Sequence, residues 1–249
     1  PDSGPGPEDR HFHCACGQLM VKGDTVCPAC GRKQWLPFGL RRAMRKVGFR
    51  APDSNMGTAT GIFLALLGYM VQLRYGSGHI VNPTNGLESA VIGAWVSPRL
   101  ANGLDHWWRW LSYTWMHGGL MHIGFNTVAT LQVGPLVEGR FGSARFMAIW
   151  VVAGIAGAGG QLLWESTAGS PSVLVGASGS LFGLIGAAAL EGHRVGTAEG
   201  RYIRNMMLQW AAITTVIGLV LPIAHSAHFG GMVAVAVVAL VLRPVDNHR

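Results

Sequence analysis

Residues 205–242 read NMMLQWAAITTVIGLVLPIAHSAHFGGMVAVAVVALVL, a run with no Asp, Glu, Lys or Arg. As one helix at about 1.5 Å per residue it would reach ~57 Å, nearly twice the ~30 Å hydrocarbon core of a bilayer. The run must therefore fold back on itself, and Pro222 marks the turn because proline interrupts a helix. This stretch thus holds two membrane helices, and it decides the fold class.

Working outward, four more uncharged runs cover 54–73, 110–137, 146–164 and 166–190. Each is near the length of about twenty apolar residues that crosses a bilayer. Together they predict an all-α membrane protein with six transmembrane helices, near 57–74, 112–136, 146–164, 178–190, 203–221 and 227–242, and a long loop over 75–111. Composition agrees. Hydrophobic residues make up 49% of the 249-residue chain and charged ones 12%, where a soluble domain has roughly a quarter charged. A typical cytosolic enzyme is excluded. The 36 glycines, with no collagen period, suit helices packed closely in lipid.

The formal charge of +7 would suggest nucleic acid on a soluble protein. Its placement argues otherwise. With a cytoplasmic N-terminus, all Lys and Arg residues except Arg74, Arg99 and Arg109 fall on the cytoplasmic side, so both termini are expected inside. The basic cluster at 41–50 then serves topology and anionic lipid, and no nucleic-acid partner is expected. The predicted location is the bacterial inner (plasma) membrane, as a multi-pass protein. Trp95, Trp107, Trp108 and Trp110 place the first loop at the outer interface.

All four cysteines lie within residues 14–30. Cys27-Pro-Ala-Cys30-Gly has the spacing of a zinc knuckle, with two thiolates able to point at one tetrahedral ion. Cys14 and Cys16 are only two apart, and His13 is an alternative to Cys14. Disulfides are disfavoured on the cytoplasmic side. The expected organisation is a zinc-ribbon-like module at 1–34 holding a structural zinc on Cys14, Cys16, Cys27 and Cys30, a basic linker at 35–53, and the membrane domain at 54–249.

Ionisable and polar groups inside membrane spans are the functional candidates. An aspartyl protease needs two Asp in its spans and a zinc protease needs His-Glu-x-x-His; neither pattern is present. What stands out instead is a set of histidines, Asn126, and Ser178 in Gly176-Ala-Ser178-Gly179. Ser178 lies 13 residues before Glu191, His228 15 before Arg243, and Asn126 and His122 lie 12 and 16 before Glu138. Each of those charges ends a helix at the cytoplasmic boundary, so the four groups share a layer about 18–24 Å above it. His122 and Asn126 are four apart and can face one spot. Gly179, Gly183, Gly186, Gly230 and Gly231 allow the helices carrying Ser178 and His228 to approach closely. His225, in a short loop, and His117, a turn farther out, are weaker members of the set.

These residues resemble the rhomboid family of intramembrane serine proteases. Gly176 to Gly179 is similar to its Gly-x-Ser-Gly, Ala227-His228-Phe229-Gly230-Gly231 to its Ala-His-x-Gly-Gly, and His117, His122 and Asn126 to its His-x4-His-x3-Asn. Trp108-Arg109 and Glu138-Gly-Arg-Phe-Gly also resemble family motifs. The resemblance implies that Ser178 is the nucleophile, His228 the base, and His122 and Asn126 contributors to the oxyanion hole. It also implies that Phe182 packs on the His228 ring. Val235 stands where many members have glycine, and is expected to hold the fifth and sixth helices slightly apart.

The expected activity is cleavage of single-span or polytopic membrane proteins within or near a span. It uses a Ser-His dyad with no cofactor in catalysis, because no acidic third member shares the layer. The short fourth helix should leave a hydrophilic cavity open to the outside, gated by the fifth helix and the loop before the sixth. The alternative is a catalytically silent scaffold that binds membrane clients. A permease or metal carrier built on the histidines would lack a carboxylate in its spans.

Overall fold

The computed structural model describes residues 11–13, 19–21, 26–29, 55–100, 106–167, 169–220 and 223–241. The chain divides into two units near residue 56. In the smaller unit β1 (His11–His13) pairs antiparallel with β2 (Leu19–Val21), and Met20 and Cys27 are buried. Cys14, Cys16 and Cys30 lie outside the described residues, as do the side chain of His13 and the linker at 35–53.

The larger unit, Gly57–Arg243, is helical. It opens with α1 (Met56–Tyr75), continues through α2 (Gly86–Ile92), β3 (Trp95–Val96), α3 (Arg109–Ser112) and a 3-10 turn at Tyr113–Trp115, then α4 (Leu120–Phe141) and α5 (Ser143–Thr167). After β4 (Val173–Leu174) come α6 (Ser178–Val195), α7 (Ala198–Ile217) and α8 (His225–Val241). Among the described residues, α1 and α5 are the helices long and apolar enough to cross a membrane by length and composition. Helix α8 is described over 17 residues, and α7 carries Glu199, Arg201 and Arg204 in its first two turns. Helix α6 has residues buried on all its faces from Gly179 to Ala189. It packs against α4, α5, α7 and α8 and forms the centre of the bundle.

Two buried charges organise this unit. The Glu138 carboxylate, near the end of α4, accepts from the backbone N–H of Gly57 (2.7 Å) and Thr58 (2.9 Å) and from the Thr58 hydroxyl (2.8 Å). It thereby satisfies unpaired amides and the positive dipole end of α1. Arg109 does the converse for α2. Its guanidinium donates to the carbonyls of Ala90, Ala94 (2.8 Å) and Val91 (3.4 Å) and lies over the Trp108 ring. The other end of α2 has a capping box between Asn85 and Glu88.

The helix that the sequence predicts from residue 112 begins at Leu120, eight residues later. The stretch 112–116 is as free of charge as a span, but it turns over in 3-10 form and is followed by Gly118-Gly119 before the helix starts. His225 opens α8 instead of lying in a loop. Val235 is fully buried and its side chain meets Gly183 of α6, so it fills the seam with the serine helix. The four loop tryptophans divide: Trp95 is buried while Trp107 is 84% exposed.

Candidate active site

Ser178 is the first residue of α6, and the chain reaches it through a constrained turn. Gly176 has φ +118°, a conformation that disfavours any side chain. Its N–H donates to the Tyr113 carbonyl (2.9 Å), and the buried Tyr113 hydroxyl donates to Gly154 O on α5 (2.7 Å). The β3–β4 pair, Trp95 opposite Leu174 and Val96 opposite Val173, holds the same turn from the first loop. The N-cap is Ala177, which has no side-chain acceptor. The first amides of α6 therefore remain available beside the half-buried Ser178.

At Gly231, helix α8 approaches the α6 backbone with no side chain between them. A Cβ on Gly231 would overlap the Gly179 carbonyl oxygen, so glycine is what permits the contact. One turn earlier on α8, the His228 ring stacks on Phe182 at 4.1 Å between centroids and 16° between planes. Phe182 is four residues after Ser178, on the same face of α6. His228 is 2% exposed, and its Nδ1 is buried without a partner. Among the described residues no hydrogen bond joins Ser178 to His228.

The third group comes from α4. A Cβ on Gly176 would lie 2.6 Å from His122 Cε1 and 2.7 Å from Nε2, so the imidazole edge faces the turn just before Ser178. His122 Nδ1 accepts from the Gly118 N–H (3.3 Å), which leaves Nε2 to carry the proton of a neutral ring. Asn126 is differently engaged. Its amide Nδ2 donates to the His122 carbonyl one turn back (3.0 Å) and keeps one N–H in reserve. His117 lies before α4 instead of on it, fully buried and edge-on to His122 at 5.2 Å. His225 stands edge-on to His228 at 6.4 Å. Among the described residues, no three side chains of metal-binding type converge.

Sequence reasoning missed Gln72. This fully buried amide on α1 grips both backbone groups of His117, accepting from its N–H (2.8 Å) and donating to its carbonyl (2.9 Å). The available signal was a lone amide in an uncharged run, which ordinarily reads as packing. Gln161 on α5 was missed for the same reason.

The chain is similar to known proteins over this region. It is 32% identical over 160 residues to rhomboid protease GluP of Bacillus subtilis, covering 63% of this chain and 29% of that protein. It is 30% identical over 136 residues to rhomboid protease GlpG of Photorhabdus laumondii, covering 53% and 46% respectively. With rhomboid protease AarA of Providencia stuartii the identity is 24% over 206 residues, 74% of this chain and 71% of AarA. The aligned segments thus span less than half the length of the first two relatives. The Rhomboid domain matches residues 104–245, which hold Ser178, His228, His122 and every helix from α3 to α8, and the chain belongs to the rhomboid family.

Proposed function

We propose that this protein is an intramembrane serine protease that cleaves other membrane proteins within or beside a span. The observation that carries the reading is the Phe182–His228 stack, which seats an imidazole over the face of α6 that begins with Ser178. His228 removes the Ser178 hydroxyl proton as Oγ attacks the scissile carbonyl carbon. The tetrahedral oxyanion is stabilised by His122 Nε2–H, the spare Asn126 N–H and the Ser178 amide. His228 then returns the proton to the leaving amine, and water repeats the sequence on the acyl-enzyme. No carboxylate bonds His228 Nδ1 among the described residues, so the base is held by stacking rather than by an acid partner. The Ser178–His228 hydrogen bond is expected to form as substrate fills the site.

In this reading α1 and α4 to α8 span the membrane with both termini cytoplasmic, and substrates reach the site through the bilayer. The N-terminal cysteines carry a structural zinc on Cys14, Cys16, Cys27 and Cys30, with His13 as the alternative to Cys14. The burial of Cys27 is in keeping with a ligand held inside a small fold. Elemental analysis should find one zinc per chain, reduced in Cys27→Ser; a metal-free wild type would reject that assignment.

The protease reading is tested by incubating detergent-purified protein with a single-span test substrate. Wild type should cut it, and Ser178→Ala and His228→Ala should not. A wild type that binds the substrate without cutting it would favour the silent scaffold.

A further inference from the structure

A connected set of polar side chains runs from the end of α5 to the first turn of α8. Gln161 and Glu165, one turn apart on α5, are 6% and 3% exposed. Glu165 Oε1 accepts from the Ser172 hydroxyl (2.7 Å) and from Gln161 Nε2 (3.2 Å). Gln161 Nε2 also donates to Ser172 Oγ (3.1 Å). The other end of that amide, Gln161 Oε1, accepts from the Ser226 hydroxyl. Ser226 is two residues before His228.

The direction of these bonds matters. An amide can present either end to a neighbour, whereas Glu165 Oε1 is the acceptor in both of its bonds. Glu165 therefore turns the Gln161 NH2 toward itself and leaves Gln161 Oε1 facing α8, where Ser226 can only donate to it. Arg99 fixes the same corner by donating to the carbonyls of Glu165 and Gly169, both at 2.8 Å. Meanwhile Glu165 Oε2 is buried with no partner, a poor arrangement for stability alone. His228 in turn lacks an acid on its Nδ1, so its aim depends on the Phe182 stack and on where the first turn of α8 is held.

We propose that Glu165 is a positioning residue for the base: it orients Gln161, Gln161 holds Ser226, and Ser226 fixes the turn that presents His228 to Ser178. This rests on the reading of Ser178 and His228 as a catalytic pair. It does not involve Glu165 in proton transfer.

The test compares full-length wild type with Glu165→Leu, Glu165→Gln, Ser226→Ala and the Glu165→Leu/Ser226→Ala double variant in detergent. It measures kcat and KM on a single-span test substrate, fluorophosphonate labelling rate and thermal unfolding temperature. Glu165→Leu and Ser226→Ala should each lower kcat and labelling rate about ten-fold with KM unchanged, as expected for one buried hydrogen bond lost from a positioning chain. Glu165→Gln keeps an acceptor oxygen and should recover most of the loss. The double variant should be no worse than the poorer single variant, since both break one chain.

The proposal is overturned if wild type is active but Ser226→Ala, which deletes only a hydroxyl, keeps kcat and labelling within two-fold. It is equally overturned if the two losses multiply, if only KM moves, or if Glu165→Leu lowers the unfolding temperature with kcat unchanged. A wild type indistinguishable from Ser178→Ala would instead remove the protease reading, and this proposal with it.

Discussion

A methyl group at Gly176 would meet the His122 ring at 2.6 Å and would have to do so from a φ of +118°. Gly176→Ala should therefore cost about 1–3 kcal/mol in backbone strain and lower cleavage about a hundred-fold by displacing the turn that presents Ser178. Thermal unfolding and kcat measured together check both. Phe182 makes a milder demand. Phe182→Ala removes the aromatic support of His228 and should lower kcat roughly three- to ten-fold, while Phe182→Tyr keeps the stack and most of the rate. Equal loss in both variants would show that the stack is not what holds the base. Ser178, His228 and His122 were legible because polar groups stand out in runs from which lipid excludes charge. Gln72, Gln161 and Glu165 were not: a lone amide is ordinary in a packed helix, and Glu165 read as the end of a span. Their roles depend on partners 4 to 65 residues away in sequence.

At the level of elements, charge spacing located the helices well because burying charge in lipid is costly wherever it occurs. It failed at the start of α4 because Tyr113–Trp115 is uncharged for another reason. Tyr113 belongs to the core beneath the serine turn, bonded to α5 and Gly176. No local pattern distinguishes such a stretch from the start of a span. Helix α1 illustrates how distant residues finish an element, since its N-terminal amides are satisfied by Glu138, about 80 residues on. Glu138→Gln halves the number of acceptor oxygens and should destabilise the protein by about 1–3 kcal/mol. An unchanged unfolding temperature in detergent would count against the capping role.

For the whole molecule, the larger unit contains every residue assigned to the chemistry, from His122 to His228. Deleting residues 1–34 should therefore leave the labelling rate of Ser178 within two-fold in detergent, whatever the N-terminal module does in cells. A greater loss would make that module part of the catalytic fold. The first loop is tied to the site at three points. Those ties are the β3–β4 pair, Arg99 on the end of α5, and the Tyr113 carbonyl on Gly176. Membership of the rhomboid family, the central α6 and the converging imidazoles all lead to one claim, that Ser178 is activated by His228.

That claim is tested most directly by fluorophosphonate labelling followed by peptide mass spectrometry. The adduct should sit on Ser178 and not on the nearby Ser180, which is buried and bonded to the Trp150 carbonyl. It should disappear in His228→Ala with the fold retained. An adduct at full rate in His228→Ala, or on another residue in wild type, would contradict the account.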